Sequence, residues 1–172
     1  GLVGSEMCIR DSNVNKIGFI GVGKVGTAFG VRLAEQGYPV KGTMDILPAE
    51  AARFSASIPG CTVFPTAQAL ADDMDFVFIT TPDDVIGQVA AAVKWRPGQT
   101  VIHCSGANST AVLEPARALG AHVGCMHPCN SFASIQQSLE NLPGSTFTLE
   151  AEEPVLSDLK SFVASLNGRW MK

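Results

Sequence analysis

"KIGFIGVGKVGTAFG" occupies Lys16–Gly30. A short β-rich run, Lys16–Ile20, leads into Gly21, Gly23 and Gly26 at the spacing G-x-G-x-x-G. Val25, Ala28, Phe29 and Leu33 then recur at helical spacing until Gly37, which is placed to end a helix. Two readings compete: a cradle for the phosphates of a dinucleotide, or a tight turn between two elements that must pack closely. The motif alone is weak. Here it follows a strand, opens a helix and sits in a βαβ pattern that ends on an acidic residue, the context the phosphate reading requires. On that reading Gly21 permits the sharp turn, Gly23 lets a pyrophosphate come close to the backbone, and Gly26 lets the helix lie against the strand. Val22, Lys24 and Val25 complete the loop. Amide groups of the first helical turn lack partners within the helix and aim at the anion, and the helix dipole adds attraction. Gly30, one turn later, serves packing.

Working outward, Val40–Met44 reads as a second strand closing on Asp45, which lies 19 residues after Gly26. An acid at that distance takes the ribose hydroxyls of NAD. A carboxylate repels a 2′-phosphate, and Lys41, the nearby base, falls within the strand, so NAD is preferred over NADP. The competing reading has Asp45 merely starting a turn. Pro48 opens a helix to about Ser57. Cys61–Phe64 is a weak third strand and Ala67–Ala71 a short helix. Asp75–Thr80, "DFVFIT", is apolar almost throughout, as expected of a parallel strand buried on both faces. A helix over Asp84–Lys94 follows, then a turn at Pro97-Gly98 and a fifth strand, Thr100–Cys104. Ser109 or Thr110 caps a helix that stops at Gly120. His122–Met126 is strand six, Ser145–Leu149 a further strand, and Pro154–Leu166 a helix stopped by Gly168. Strands alternating with helices imply an α/β fold: a doubly wound, mostly parallel sheet with helices on both faces.

The chain has 172 residues, with 46% hydrophobic and 16% charged residues, enough for a real core and too apolar for disorder. A net charge of −4 and a pI near 5.3 disfavour a nucleic-acid partner. Apolar stretches are too short to cross a bilayer. Cys8, Cys61, Cys104, Cys125 and Cys129 make an odd count without a C-x-x-C pair, so free thiols in a reducing cytoplasm are expected. Residues 1–12, "GLVGSEMCIRDS", do not share the pattern and lack the basic stretch and apolar segment of a signal peptide; they read as a non-native or disordered tail. Residues 13–168 read as the domain, and 169–172 as the start of a further element of a longer protein.

Ligands of an open parallel sheet bind beyond the carboxyl ends of its strands, and three segments fall there. Thr80, Thr81 and Pro82 border the ribose and pyrophosphate, while Asp83 caps the next helix. In "HCSGANS", His103–Ser109, Gly106 allows close approach, and Ser105 and Asn108 can hydrogen-bond a substrate or a carboxamide; a turn followed by a cap explains the same residues without chemistry. In "GCMHPCNSF", Gly124–Phe132, His127 is pushed into extended backbone by Pro128. It either exchanges a proton with a hydroxyl/carbonyl pair as hydride moves or is a hydrogen-bonded structural histidine. No metal site is expected: alternation sends His103 and Cys104 to opposite faces, and C-x-H-x-C over Cys125–Cys129 is unlike a zinc-finger pair.

"IGFIGVGKVGTAFGVRLAEQGY" (Ile17–Tyr38), "FVFITTPDDVI" (Phe76–Ile86), "VIHCSGANSTAVLEPARALGAHVGCMHP" (Val101–Pro128) and Ser131-Phe132 together resemble, in order and spacing, a Rossmann-like oxidoreductase/dehydrogenase family. That family is related to pyrroline-5-carboxylate reductase, ketopantoate reductase and prephenate dehydrogenase. The resemblance spans about Asn15–Asn167. It implies NAD or NADP binding through Gly21, Gly23 and Gly26, and a small keto, imino or hydroxy acid as substrate. It also implies a following helical domain that shares the substrate cleft and forms a homodimer. His127 stands where prephenate dehydrogenases place, in an H-P-M stretch, a histidine that assists hydride transfer; here Cys129 replaces the apolar third residue. Ser105 and His127 are the candidate catalytic pair. A non-catalytic dinucleotide-sensing module is the alternative.

Overall fold

The computed structural model describes residues 15–172; the tail expected over 1–12 lies outside the described residues. Among the described residues the strands are β1 (Ile17–Ile20), β2 (Val40–Met44), β3 (Thr62–Val63), β4 (Phe76–Ile79), β5 (Thr100–His103), β6 (His122–Pro128), β7 (Thr146–Ala151) and β8 (Arg169–Met171). They form one sheet in the order β3-β2-β1-β4-β5-β6-β7-β8. From β3 to β6 every pairing is parallel. β7 then joins β6 antiparallel, and β8 pairs parallel to β7. The sheet grows in one direction from β1 through β2 and β3 and in the other from β4 onward, so β1 and β4 flank a switch point. A crevice opens there because successive crossovers leave on opposite faces.

Side-chain alternation sorts the core into two layers. Ile17, Phe19, Phe76, Phe78 and Ile102 point to one face and meet α1 (Lys24–Glu35), α2 (Pro48–Ser57) and α7 (Val155–Ser165). Ile20, Val77, Ile79 and Val101 point to the other and meet α3 (Ala67–Asp73), α4 (Ile86–Ala92) and α5 (Glu114–Ala118). The first layer is aromatic: Phe19 stacks on Phe78 at 4.7 Å, and Phe76 meets Phe162 edge-on at 5.4 Å. Each buried phenylalanine contributes roughly 1.5–3 kcal/mol of apolar transfer. β1 and β4 are buried at every position, which is why their sequences read as continuous apolar runs rather than alternating ones.

Several local readings need correction. α4 begins at Ile86 with no side-chain cap, so Asp83 does not cap it. The helix expected from Ser109 to Gly120 is a 3-10 turn, Thr110–Leu113, followed by the short α5. Ser109 Oγ accepts from Ala111 N–H at the turn's entry, and Pro115, lacking an N–H, sits at the first turn of α5, where none is needed. Beyond α7 the left-handed residue is Asn167, at φ 55°, not Gly168; a β-carbon on Gly168 would come within 2.7 Å of the Phe147 ring. Arg169–Met171, where the sequence suggested the start of a further element, form β8 beside β7.

A helix that the periodicity did not suggest, α6 (Ile135–Asn141), leaves the sheet after β6 and lies against α1. Arg32 donates to Leu139 O through Nε at 2.9 Å and Nη2 at 2.7 Å. Buried Ser138 Oγ stands 3.0 Å from Lys24 O and 2.7 Å from Ile135 O. Ser134 caps α6 by accepting from Gln137 N–H at 3.0 Å.

Candidate functional site

A cleft of about 830 Å³ opens at the carboxyl ends of β1, β4 and β5. Its floor is Gly21–Val25, with Thr80, Thr81 and Pro82 on one wall and Asp45, Ile46 and Leu47 on another. Cys104 and Ser105 close the far end. The switch point therefore brings together all the expected cofactor-binding residues except Gly26, which stands behind the loop.

The glycines divide by what surrounds them. Gly21 has φ +82°, and a β-carbon there would lie 2.8 Å from Thr81 N. A β-carbon on Gly26 would crowd Thr80 Oγ1 and stand 2.8 Å from Gly21 O. Both are required by turn and packing. Gly23 differs: a β-carbon there meets no atom within 4 Å, and its φ is −80°. Among the described glycines it is the one at negative φ where a side chain would meet nothing. The residue lines the cleft, and that open space is the room a ligand approaching the backbone needs.

Gly23 caps α1 with no side-chain hydrogen bond, and no acidic residue sits in the first turn. The amides of Gly23, Lys24 and Val25, which line the cleft, have no partner within the helix. Lys24, the first helical residue, also lines the cleft. A cation at a helix N-terminus opposes the macrodipole, so helix stability does not account for Lys24 at this position.

The loop is held from outside. Asp45 Oδ2 accepts from Val22 N–H and Oδ1 from Leu47 N–H, both at 2.8 Å. On the other side of the Val22 residue, Arg53 Nη2 donates to Val22 O at 2.9 Å and Nη1 to Thr27 Oγ1 at 3.2 Å, and the guanidinium pairs with Glu50. Arg53 was not legible as a loop support. Glu50 and Arg53 stand three residues apart on α2, a spacing that points to a pair along one helix rather than to the loop. The Thr80 hydroxyl is given to Gly21 O, which ties the loop to the end of β4.

The loop after β5 is held from inside. His103 is fully buried; its Nδ1 accepts from Ser105 N–H at 3.0 Å and its Nε2 stands 2.9 Å from Ser109 O. Ser105 Oγ accepts from Ala107 N–H at 3.1 Å and from Asn108 Nδ2 at 3.2 Å. With both lone pairs engaged, the Ser105 O–H proton is the function left over, at a position that lines the cleft. Burial pushes the Cys104 thiol well above its ordinary range, with Cys125 adding to the rise. Burial also lifts Cys125, to about 12.

His127 lies one strand further out and is not among the residues lining the cleft. Its Nδ1 is 3.2 Å from Cys104 O, so Nδ1 carries the proton and donates, leaving Nε2 as the basic nitrogen. Gly106 packs against the ring; a β-carbon there would come within 2.5 Å of Nε2. Ser105 and His127 thus share one scaffold, the 104–106 backbone, although only Ser105 reaches the cleft. Sequence reasoning missed Ile135 of α6, which also lines it. The available signal was S-x-x-Q at Ser134–Gln137, a helix-start pattern. Among the described residues no three His, Cys, Asp or Glu stand close enough to hold a metal ion, and no helix is long and apolar enough to cross a membrane.

A family model of the Rossmann-like domain matches residues 5–128. The chain belongs to the Rossmann-like domain family. Solved structures share the fold of this Rossmann-like domain at low identity. Prephenate dehydrogenase from Aquifex aeolicus, in complex with hydroxyphenyl propionate and NAD+, aligns with TM-score 0.77 and 20% identity over 94% of this chain and 61% of its own. A 3-hydroxyisobutyrate dehydrogenase from Mycobacterium tuberculosis aligns with TM-score 0.76 and 20% identity over 92% and 54%. An imine reductase from Aspergillus terreus, in complex with NADPH4 and dibenz[c,e]azepine, aligns with TM-score 0.73 and 16% identity over 93% and 56%. The chain thus spans between about half and three fifths of the length of these structures. No curated protein matches it by sequence.

Proposed function

We propose that this Rossmann-like domain is the cofactor-binding part of an NAD(P)-dependent oxidoreductase. The single observation that carries this reading is Gly23, where a side chain would meet no atom within 4 Å, at the start of a helix on the lining of an 830 Å³ cleft. The backbone of Gly21–Gly26 holds the pyrophosphate. Asp45 receives the adenosine ribose hydroxyls, and Ile46, 85% exposed, with Leu47 offers an apolar shelf for the adenine. A carboxylate followed by two aliphatic residues supports NAD over NADP, because it supplies repulsion and no cation where a 2′-phosphate would lie. Thr81 and Pro82 border the cofactor.

Ser105 donates its free O–H to the carboxamide or to the substrate, and His127 Nε2 handles the proton as hydride moves. The substrate is a small keto, imino or hydroxy acid, a reading supported by the prephenate and 3-hydroxyisobutyrate dehydrogenases that share the fold. We assign the rest of the substrate cleft, and homodimer contacts, to residues beyond these 172. Unpaired Cys61, Cys104, Cys125 and Cys129 support a reducing, cytoplasmic setting. A second reading, a non-catalytic dinucleotide sensor, is favoured by one observation: His127 stands outside the cleft lining. His127→Ala in the complete protein separates the two; a turnover rate equal to wild type removes His127 from the chemistry.

The test of the main reading is a fluorescence titration of NADH and NADPH against the wild-type chain and Gly23→Ala. NADH binds about tenfold or more tightly than NADPH, because a 2′-phosphate meets a like charge. Gly23→Ala weakens NADH by about tenfold or more through steric exclusion, with a melting temperature close to wild type. Equal affinity in the two proteins would overturn the assignment of the loop.

A further inference from the structure

We propose that His103 is a positioning residue whose buried imidazole holds Ser105 in place against the cleft; the functional part of this proposal rests on the reading above. His103 is fully inaccessible, and both of its nitrogens are spent on its own loop. Nδ1 accepts from the amide of Ser105 at 3.0 Å, and Nε2–H donates to the carbonyl of Ser109 at 2.9 Å. These two bonds leave one tautomer, neutral and protonated on Nε2. A second proton would set an N–H of the ring against the N–H of Ser105 and open the loop at the residue that lines the cleft.

The ring is the hub of a closed circuit. Ser105 Oγ accepts from Ala107 N–H and Asn108 Nδ2, and Asn108 Nδ2 also reaches Asp83 O at 3.4 Å, across to the wall formed by the loop after β4. Cys104 O, between His103 and the Ser105 that it holds, receives the Nδ1–H of His127. One side chain outside the cleft therefore sets the orientation of the hydroxyl proposed to touch ligand and of the carbonyl that orients the proposed base. The charged and titratable groups facing His103 are Glu150 on β7, Asp83 after β4 and His127 on β6. The carboxylates favour protonation, His127 opposes it, and burial outweighs them, so the ring stays neutral below its ordinary 6.5.

Two variants split the two bonds. His103→Asn retains an acceptor near Nδ1 and loses the reach to Ser109; His103→Gln retains a donor near Nε2 and loses the acceptor for Ser105. The structural arm is NMR of the wild-type chain and both variants: imidazole 15N shifts, and hydrogen exchange of the Ser105 amide from about pH 8 to about pH 5. The expected result is the Nε2–H tautomer, a protected Ser105 amide in wild type and His103→Asn, and an unprotected one in His103→Gln. In wild type, protection falls as the ring takes a proton. The functional arm is NADH affinity: about tenfold weaker in His103→Gln, near wild type in His103→Asn, and declining at acid pH in wild type alone. An Nδ1–H tautomer, or a Ser105 amide equally protected in all three proteins, overturns the proposal. So does unchanged NADH affinity in His103→Gln while Gly23→Ala loses it. If wild type binds no dinucleotide, the reading of the cleft fails and the NMR arm still decides whether His103 holds Ser105. If His103→Gln does not fold, the wild-type tautomer and pH series decide it.

Discussion

The loops after β1 and after β5 meet at the same cleft and are built on opposite plans. The first, Gly21–Gly26, is braced from outside: Asp45 holds the N–H of Val22, Arg53 its carbonyl, and Thr80 the carbonyl of Gly21. It presents backbone amides, so its chemistry depends on the absence of side chains. The second, His103–Ser109, is braced from within by His103, Ala107 and Asn108. It presents one hydroxyl, so its chemistry depends on particular side chains. A backbone site tolerates changes in the residues between its glycines; a side-chain site does not tolerate change at the residue that aims it.

The comparison is broken most severely at Gly21. Gly21→Ala must carry a β-carbon at positive φ, 2.8 Å from Thr81 N, and is expected to cost about 2–3 kcal/mol. Gly23→Ala, whose β-carbon meets no atom within 4 Å, is expected to cost less, about 1 kcal/mol or below. Urea unfolding of the two variants tests this, and similar losses in both would erase the distinction between structural and ligand-facing glycines.

Gly106→Ala probes the other loop. Its β-carbon meets the His127 ring, a side chain with some freedom to move, so the expected loss is smaller, about 1–2 kcal/mol. Ring shifts of His127 by NMR register the displacement. Asp45→Asn keeps an acceptor for Val22 or Leu47 but removes the charge. It is expected to cost about 1 kcal/mol or less in stability while moving the NADH/NADPH affinity ratio towards unity. A ratio unchanged from wild type would show that Asp45 only braces the loop.

The acid limb of stability sharpens the contrast further. His103 has a folded-state pKa below its ordinary 6.5 because burial penalises the charged ring. The unfolded chain therefore takes the proton first. The contribution of the neutral ring is complete above about pH 6.5 and is lost as pH falls below it. In His103→Asn this part of the decline in urea midpoint is expected to vanish. The smallest effect concerns thiols. Cys129 is exposed, whereas Cys104 and Cys125 are buried with raised pKa values. Alkylation followed by mass spectrometry is expected to label Cys129 well before those two, since the thiolate is the reactive form. Labelling of Cys104 at the same rate would mean that the loop after β5 opens readily.

Much of this was legible before any tertiary information. The β-rich run at β1 announced a strand, and the apolar run at β4 a strand buried on both faces. Helical spacing after Gly26, Pro48 at a helix start and Gly37 at a helix end marked α1 and α2. Those signals are local: propensity, period and turn chemistry act within a few residues. α6 escaped because its short amphipathic pattern is stabilised through contacts more than 100 residues away, Arg32 to Leu139 and Ser138 to Lys24. Arg53 escaped for the same reason, since its partner Val22 is 31 residues distant.

The sequence by itself determined the doubly wound class, the glycine loop with its acid at Asp45, and the family resemblance. Each is written in residue spacing, which is a property of the chain. Only the tertiary structure decided which glycine has open space where a side chain would stand, that His127 stands behind Gly106 while Ser105 lines the cleft, and that His103 bonds within its own loop. Those are matters of which atoms lie within a few ångströms across strands, and spacing along a chain does not encode distance across a sheet.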